Sequence, residues 1–119
     1  MRKIATVFIA AFALLLAACG EPLSKDRLGY AGEWQAPSVY LLITPDGRVE
    51  YKRQRDGGNV SIEAPIKNFE GDNFIVGVGP FTTTFVVSQP PRLGEDGKWR
   101  MTVDGVELTR TSAFGEVQA

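Results

Sequence analysis

Two patterns divide this chain. From Ile4 to Ala18 nearly every position is apolar, whereas from Trp34 onward apolar and polar residues alternate in short runs separated by turn residues. A period of two sends successive side chains to opposite faces of an extended strand, so the second region predicts half-buried strands. Residues 39–44 lead into Pro45-Asp46-Gly47 and then residues 48–52. That turn chemistry suits a type I turn with a bulge. If Thr44 faces Arg48, Ile43 faces Val49 and Leu41 faces Tyr51, so both apolar pairs share a face.

The same reading continues along the chain. Asp56-Gly57-Gly58-Asn59 turns into a strand at 60–64, which Pro65 is expected to close because proline cannot donate to a central ladder. Residues 66–69 form a short strand, Glu70-Gly71-Asp72-Asn73 turns, and residues 74–78 begin another, with Phe69 and Phe74 entering one core. Phe81, Thr83, Phe85 and Val87 then share a face. Gly77-Val78-Gly79-Pro80 is either a loop where backbone meets a ligand or, as preferred, a bulge and corner that bends the sheet. Residues 89–97, with Pro90 and Pro91, make the longest irregular connection. Asp104-Gly105 forms a two-residue hairpin that sets Val103 opposite Val106, Met101 opposite Leu108 and Trp99 opposite Arg110.

The expected fold is therefore all-β: a small antiparallel up-and-down barrel or sandwich of seven to eight short strands. A signal peptide at 1–18 and a tether at 19–32 precede it, since residues 20–32 hold Pro22, Gly29, Gly32 and scattered charge without a period. The β domain spans 33–111, and 112–119 is a frayed tail.

Arg2 and Lys3 ahead of the apolar run give the layout of a secretory signal. The run is shorter than the roughly 20 residues that a helix needs to cross the hydrocarbon core. It ends at Leu16-Ala17-Ala18-Cys19 and changes at once to Gly20-Glu21-Pro22. These residues resemble the lipobox of bacterial lipoproteins. The resemblance implies cleavage after Ala18, acylation of Cys19, and a place in the bacterial cell envelope. Gly20 is not the aspartate associated with inner-membrane retention, which favours the outer membrane, facing the periplasm, in a cell that has one.

Composition narrows the chemistry. Cys19 is the sole cysteine and there is no histidine, so once Cys19 is acylated no thiol or imidazole remains for a nucleophile, a base or a metal. Loss of Arg2 and Lys3 from the 13 basic residues leaves 11 against 14 acidic ones, a net charge of −3. That balance argues against nucleic acid and against a polybasic grip on anionic lipid. Glu50, Glu63, Glu70 and Asp72 could pair for glycoside chemistry, but solvated charge explains each of them. The acidic spacing around Asp56 and Asp72 is not that of a calcium loop. Asn59-Val60-Ser61 fits a glycosylation acceptor, yet reads as a turn asparagine. Thr82, Thr83 and Thr84 follow from β-propensity. No cofactor, metal site or catalytic residue is expected.

Gly32-Glu33-Trp34 before the first strand and Arg110 at the end of the last look like the Gly-x-Trp and terminal Arg of lipocalin-like barrels. That resemblance implies a guanidinium packed over an indole at one closed end, and a small lipophilic ligand as a conceivable cargo. Phe69, Phe74, Phe81, Phe85 and Trp99 are the residues expected to fill the interior instead. The favoured function is non-enzymatic: a membrane-anchored envelope lipoprotein that binds another envelope protein. Ligand carriage, and inhibition of a toxin or wall hydrolase, are the alternatives.

Overall fold

The computed structural model describes residues 21–112; Leu16, Ala17, Ala18 and Cys19 lie outside that range, as does the tail beyond Ser112. A 3-10 helix, Lys25–Tyr30, is followed by nine strands: β1 Gly32–Ala36, β2 Val39–Ile43, β3 Arg48–Arg55, β4 Gly58–Glu70, β5 Asn73–Val78, β6 Phe81–Phe85, β7 Val87–Leu93, β8 Trp99–Val103 and β9 Val106–Ser112. They form one antiparallel sheet in the order β6-β5-β4-β3-β2-β1-β9-β8-β7. The sheet curls into a half-barrel, not a sandwich. There are nine strands where seven to eight were expected, because residues 87–93 pair with β8 as an edge strand. The irregular connection shrinks to the turn after Leu93, closed by the Gly94 N–H donating to the Lys98 carbonyl at 2.8 Å.

Turn chemistry sets the registers. Thr44 and Arg48 face each other, and the Gly47 N–H closes the turn onto Thr44 at 3.0 Å. Ile43 then pairs with Val49 and Leu41 with Tyr51, as alternation requires. Asp104 and Gly105 both take positive φ, 49° and 81°, which is the backbone of a type I′ turn. Val103 accordingly opposes Val106, and Met101 opposes Leu108.

Four expectations need correction. Pro65 does not end a strand: β4 runs 13 residues through it. Arg48 opposite Pro65 is the last rung with β3, and Ile66 opposite Val76 begins the ladder with β5, so the missing N–H falls where pairing changes sides. Gly77-Val78-Gly79-Pro80 is no bulge; Val78 opposes Phe81 across a two-residue Gly79-Pro80 turn. The tether is shorter than 19–32. Tyr30 and Ala31 are buried, Leu23 packs on the core, and the Leu23 N–H donates to the Pro45 carbonyl at 2.8 Å. Lastly, Ser112 is not tail but pairs with Glu33.

The core lies on the concave face. Trp34, Leu41, Ile43, Phe74, Met101 and Leu108 are completely covered, with Val49, Val76 and Phe85 nearly so. An aromatic run crosses it: Tyr30 meets Phe69 at 5.1 Å, Phe69 meets Phe74 at 6.2 Å, Phe74 stacks on Phe85 at 5.0 Å, and Phe85 meets Tyr51 at 4.9 Å. Such pairs add about 0.5–1.5 kcal/mol each beyond the area that they bury. The 3-10 helix covers one end of this core. Its Tyr30 hydroxyl donates to the Asp72 carbonyl at 2.9 Å, and its Arg27 guanidinium lies 4.4 Å over the Phe69 ring.

Candidate functional site

Two places stand out, one at each end of the half-barrel. The first gathers Gly32, Trp34 and Arg110, which the sequence singled out together. Trp34 pairs with Arg110 across β1 and β9, so both side chains leave the sheet on its concave side. The Arg110 guanidinium carbon lies 5.8 Å from the Trp34 ring and 5.2 Å from the Trp99 ring. Trp99 is only partly buried, so Arg110 completes the cover over two indoles at once. Gly32 explains itself in the same place. A Cβ there would fall 2.7 Å from Arg110 Cδ and 2.9 Å from the Ser112 carbonyl oxygen, and its φ of 141° belongs to glycine. The Trp34 Nε1–H donates to the Tyr30 carbonyl at 2.9 Å, which satisfies the buried indole and ties the 3-10 helix to β1. The geometry holds one end shut; it offers no nucleophile and no acid–base pair.

The second place is the far tip of the β5–β6 hairpin. Along β5, Phe74 and Val76 are buried and Val78 is 66% exposed; along β6, Phe85 is buried and Phe81 is 82% exposed. These residues share the concave face, so the apolar stripe runs on past the point where the opposite wall stops. Phe81 was expected inside and is not. Phe69 packs on the core and Phe74 and Phe85 lie within it. Sequence alternation gives the face of Phe81 correctly, but the turn at Asp104-Gly105 ends the wall that would cover it.

Two contacts hold the strands of the hairpin together near its tip. Gly77 passes so close to β6 that a Cβ would fall 2.1 Å from the Phe81 carbonyl oxygen. From the bulge in β4, Lys67 Nζ donates to the Gly79 carbonyl at 2.8 Å, bracing the turn from outside. No charged residue occurs from Asn73 to Pro91, a stretch that includes the whole hairpin.

The carboxylates considered for catalysis sit elsewhere. Glu50 and Glu63 oppose each other on the convex face of β3 and β4, where Lys52 Nζ lies 3.4 Å from Glu50 and an Arg48 nitrogen lies 3.0 Å from Glu63. Asp72 contributes its backbone carbonyl to Tyr30, and Asp56 occupies the exposed β3–β4 turn. Among the described residues no three of Asp, Glu, His and Cys are grouped to hold a metal ion. The Arg100 guanidinium holds the Asp96 carboxyl at about 2 through a pair at 2.6 Å, which is surface electrostatics next to a turn. Compared with known protein families, curated proteins and solved structures, the chain matches none.

Proposed function

We propose that this chain is an envelope lipoprotein, anchored by acylation of Cys19, whose β domain works by binding protein at the tip of the β5–β6 hairpin. The observation that carries the binding reading is Phe81, a large aromatic side chain 82% exposed beside Val78 on a braced, uncharged hairpin. Aromatic anchors dominate the energetics of protein interfaces, and an apolar residue held out by rigid backbone loses little entropy on docking. The anchor rests on Leu16-Ala17-Ala18-Cys19 and the apolar run before it.

Carriage of a lipophilic ligand has less support. A lipocalin-like cargo needs an empty interior, and here Trp34, Phe74, Phe85, Leu41 and Met101 occupy that space. Inhibition of a toxin or hydrolase would be a special case of the binding reading. A photoreactive phenylalanine analogue at position 81 of the full chain, irradiated in its own membrane, tests the surface. The expected product is a discrete protein adduct; labelling no stronger than from the same analogue at exposed Ser61 would overturn the reading.

A further inference from the structure

We infer that the open edge of β6 receives the β6 of a second copy of this chain, antiparallel, with Thr82 of one copy opposite Thr84 of the other. This rests on the hairpin being the binding surface and names its occupant.

The half-barrel leaves three stretches of sheet edge without a neighbouring strand among the described residues: β7, the first half of β4, and β6. Exposed edges invite pairing, and proteins blunt them with proline, charge or a covering element. β7 carries Pro90 and Pro91, and the 3-10 helix lies against it. The open half of β4 carries Glu63 and follows a turn flanked by Arg55 and Asp56. β6 has none of these devices. Phe81-Thr82-Thr83-Thr84-Phe85 contains no charge and no proline, and its middle residues are β-branched.

The edge groups are also available in the right places. Val78 and Phe81 flank the two-residue turn, so ladder alternation points the backbone of Phe81, Thr83 and Phe85 toward β5 and that of Thr82, Thr84 and Val86 away from it. Val86 shows the outward set directly. Its carbonyl accepts the Asp104 N–H at 2.8 Å, and its N–H donates to Asp104 Oδ1 at 2.9 Å. Beyond Asp104 the wall ends, leaving Thr82 and Thr84 with outward N–H and C=O groups and no strand beside them among the described residues.

Self-pairing follows from the residue order. Phe-Thr-Thr-Thr-Phe reads the same in both directions, so antiparallel pairing about Thr83 sets outward Thr82 against outward Thr84 twice. Four backbone hydrogen bonds result. Thr83 meets its own copy as a non-hydrogen-bonded pair, which strands favour, and the exposed Phe81 ring lies at the rim of the contact, opposite the covered Phe85 position. The contact is isologous, closes at two copies, and places no like charges together. Strand addition at a free edge is a recurrent mode of protein recognition.

Sedimentation of the full chain in detergent tests the proposal, together with oxidative cross-linking of Thr83→Cys. In a non-hydrogen-bonded pair the Cα atoms approach to about 4.5 Å, within disulfide reach. The expected results are twice the protein mass of one chain and a disulfide-linked dimer from Thr83→Cys well above that from Ser61→Cys on the open half of β4. Native Cys19 is common to both variants. Thr82→Pro removes only an outward N–H, and Thr84→Lys puts a charge on the edge; either one, with unchanged circular dichroism, is expected to return the chain to a single copy. A single copy throughout, or equal cross-linking at 83 and 61, overturns self-pairing. If position 81 then still yields an adduct with a different protein, the binding surface stands and only its occupant is wrong. If position 81 yields no adduct, both fall.

Discussion

At the scale of single residues, Trp34 joins the core, the 3-10 helix and β9. Trp34 is completely buried, donates its indole hydrogen bond to Tyr30, and lies under Arg110. Trp34→Ala should therefore cost about 3–5 kcal/mol, the range for truncating a buried aromatic residue. Chemical denaturation measures this, and a loss within about 0.5 kcal/mol, ordinary for a surface change, would mean the ring is not structural. Tyr40 gives a pH signature. Burial, then the hydrogen bond that its hydroxyl donates to Glu33 at 2.8 Å, push its phenol from 10.0 up to about 12. A raised folded-state pKa leaves its stabilisation intact below pH 10 and removes it as pH rises from 10 to about 12. Thermal melts across that window should fall less steeply for Tyr40→Phe than for the parent chain. Identical slopes would contradict the assignment. Tyr30, whose phenol burial also pushes up, keeps part of the alkaline loss in the variant.

At the scale of elements, the sequence was legible wherever turn residues and alternation agreed. Pro45-Asp46-Gly47 and Asp104-Gly105 set their own registers, and Trp34 and Arg110 stand opposite each other on β1 and β9. It was less legible where the outcome depended on a distant strand. Proline at 65 reads locally as a stop, but the ladder changes sides there and nothing is lost. The alternation of Phe81, Thr83 and Phe85 names a face without saying how far the facing wall extends, so the exposure of Phe81 had no local signal. Residues 25–30 lack any helical or strand period, yet Tyr30 packs against the Phe69 and Phe74 rings and draws the segment into the fold. Gly77 tests the hairpin as an element. Gly77→Ala would press a methyl carbon onto the Phe81 carbonyl in a backbone region close to glycine-only, at a cost of roughly 1–3 kcal/mol. Hydrogen exchange should then quicken at the Phe81, Thr83 and Phe85 amides, with β8 and β9 protected as before. Unchanged protection in β6 would contradict that close approach.

At the scale of the whole molecule, the described residues form a half-barrel filled by its own side chains, with Arg110 over two indoles at one end and an apolar hairpin extending the other. Some of its charged groups lie in exposed pairs such as Arg48–Glu63 and Arg92–Glu107, which contribute little to stability. Anchoring would confine the hairpin to a plane, where the pairing edge meets its partner at raised effective concentration. The proposed function therefore depends first on whether Cys19 is acylated. Intact-mass measurement of the protein extracted from its own membrane tests it most directly. The expected native species is a chain beginning at Cys19 with the added mass of two or three acyl chains, and a Cys19→Ala variant is expected to keep its leader and lose the lipid. A native chain that retains residues 1–18, or begins at residue 19 without acylation, would contradict it.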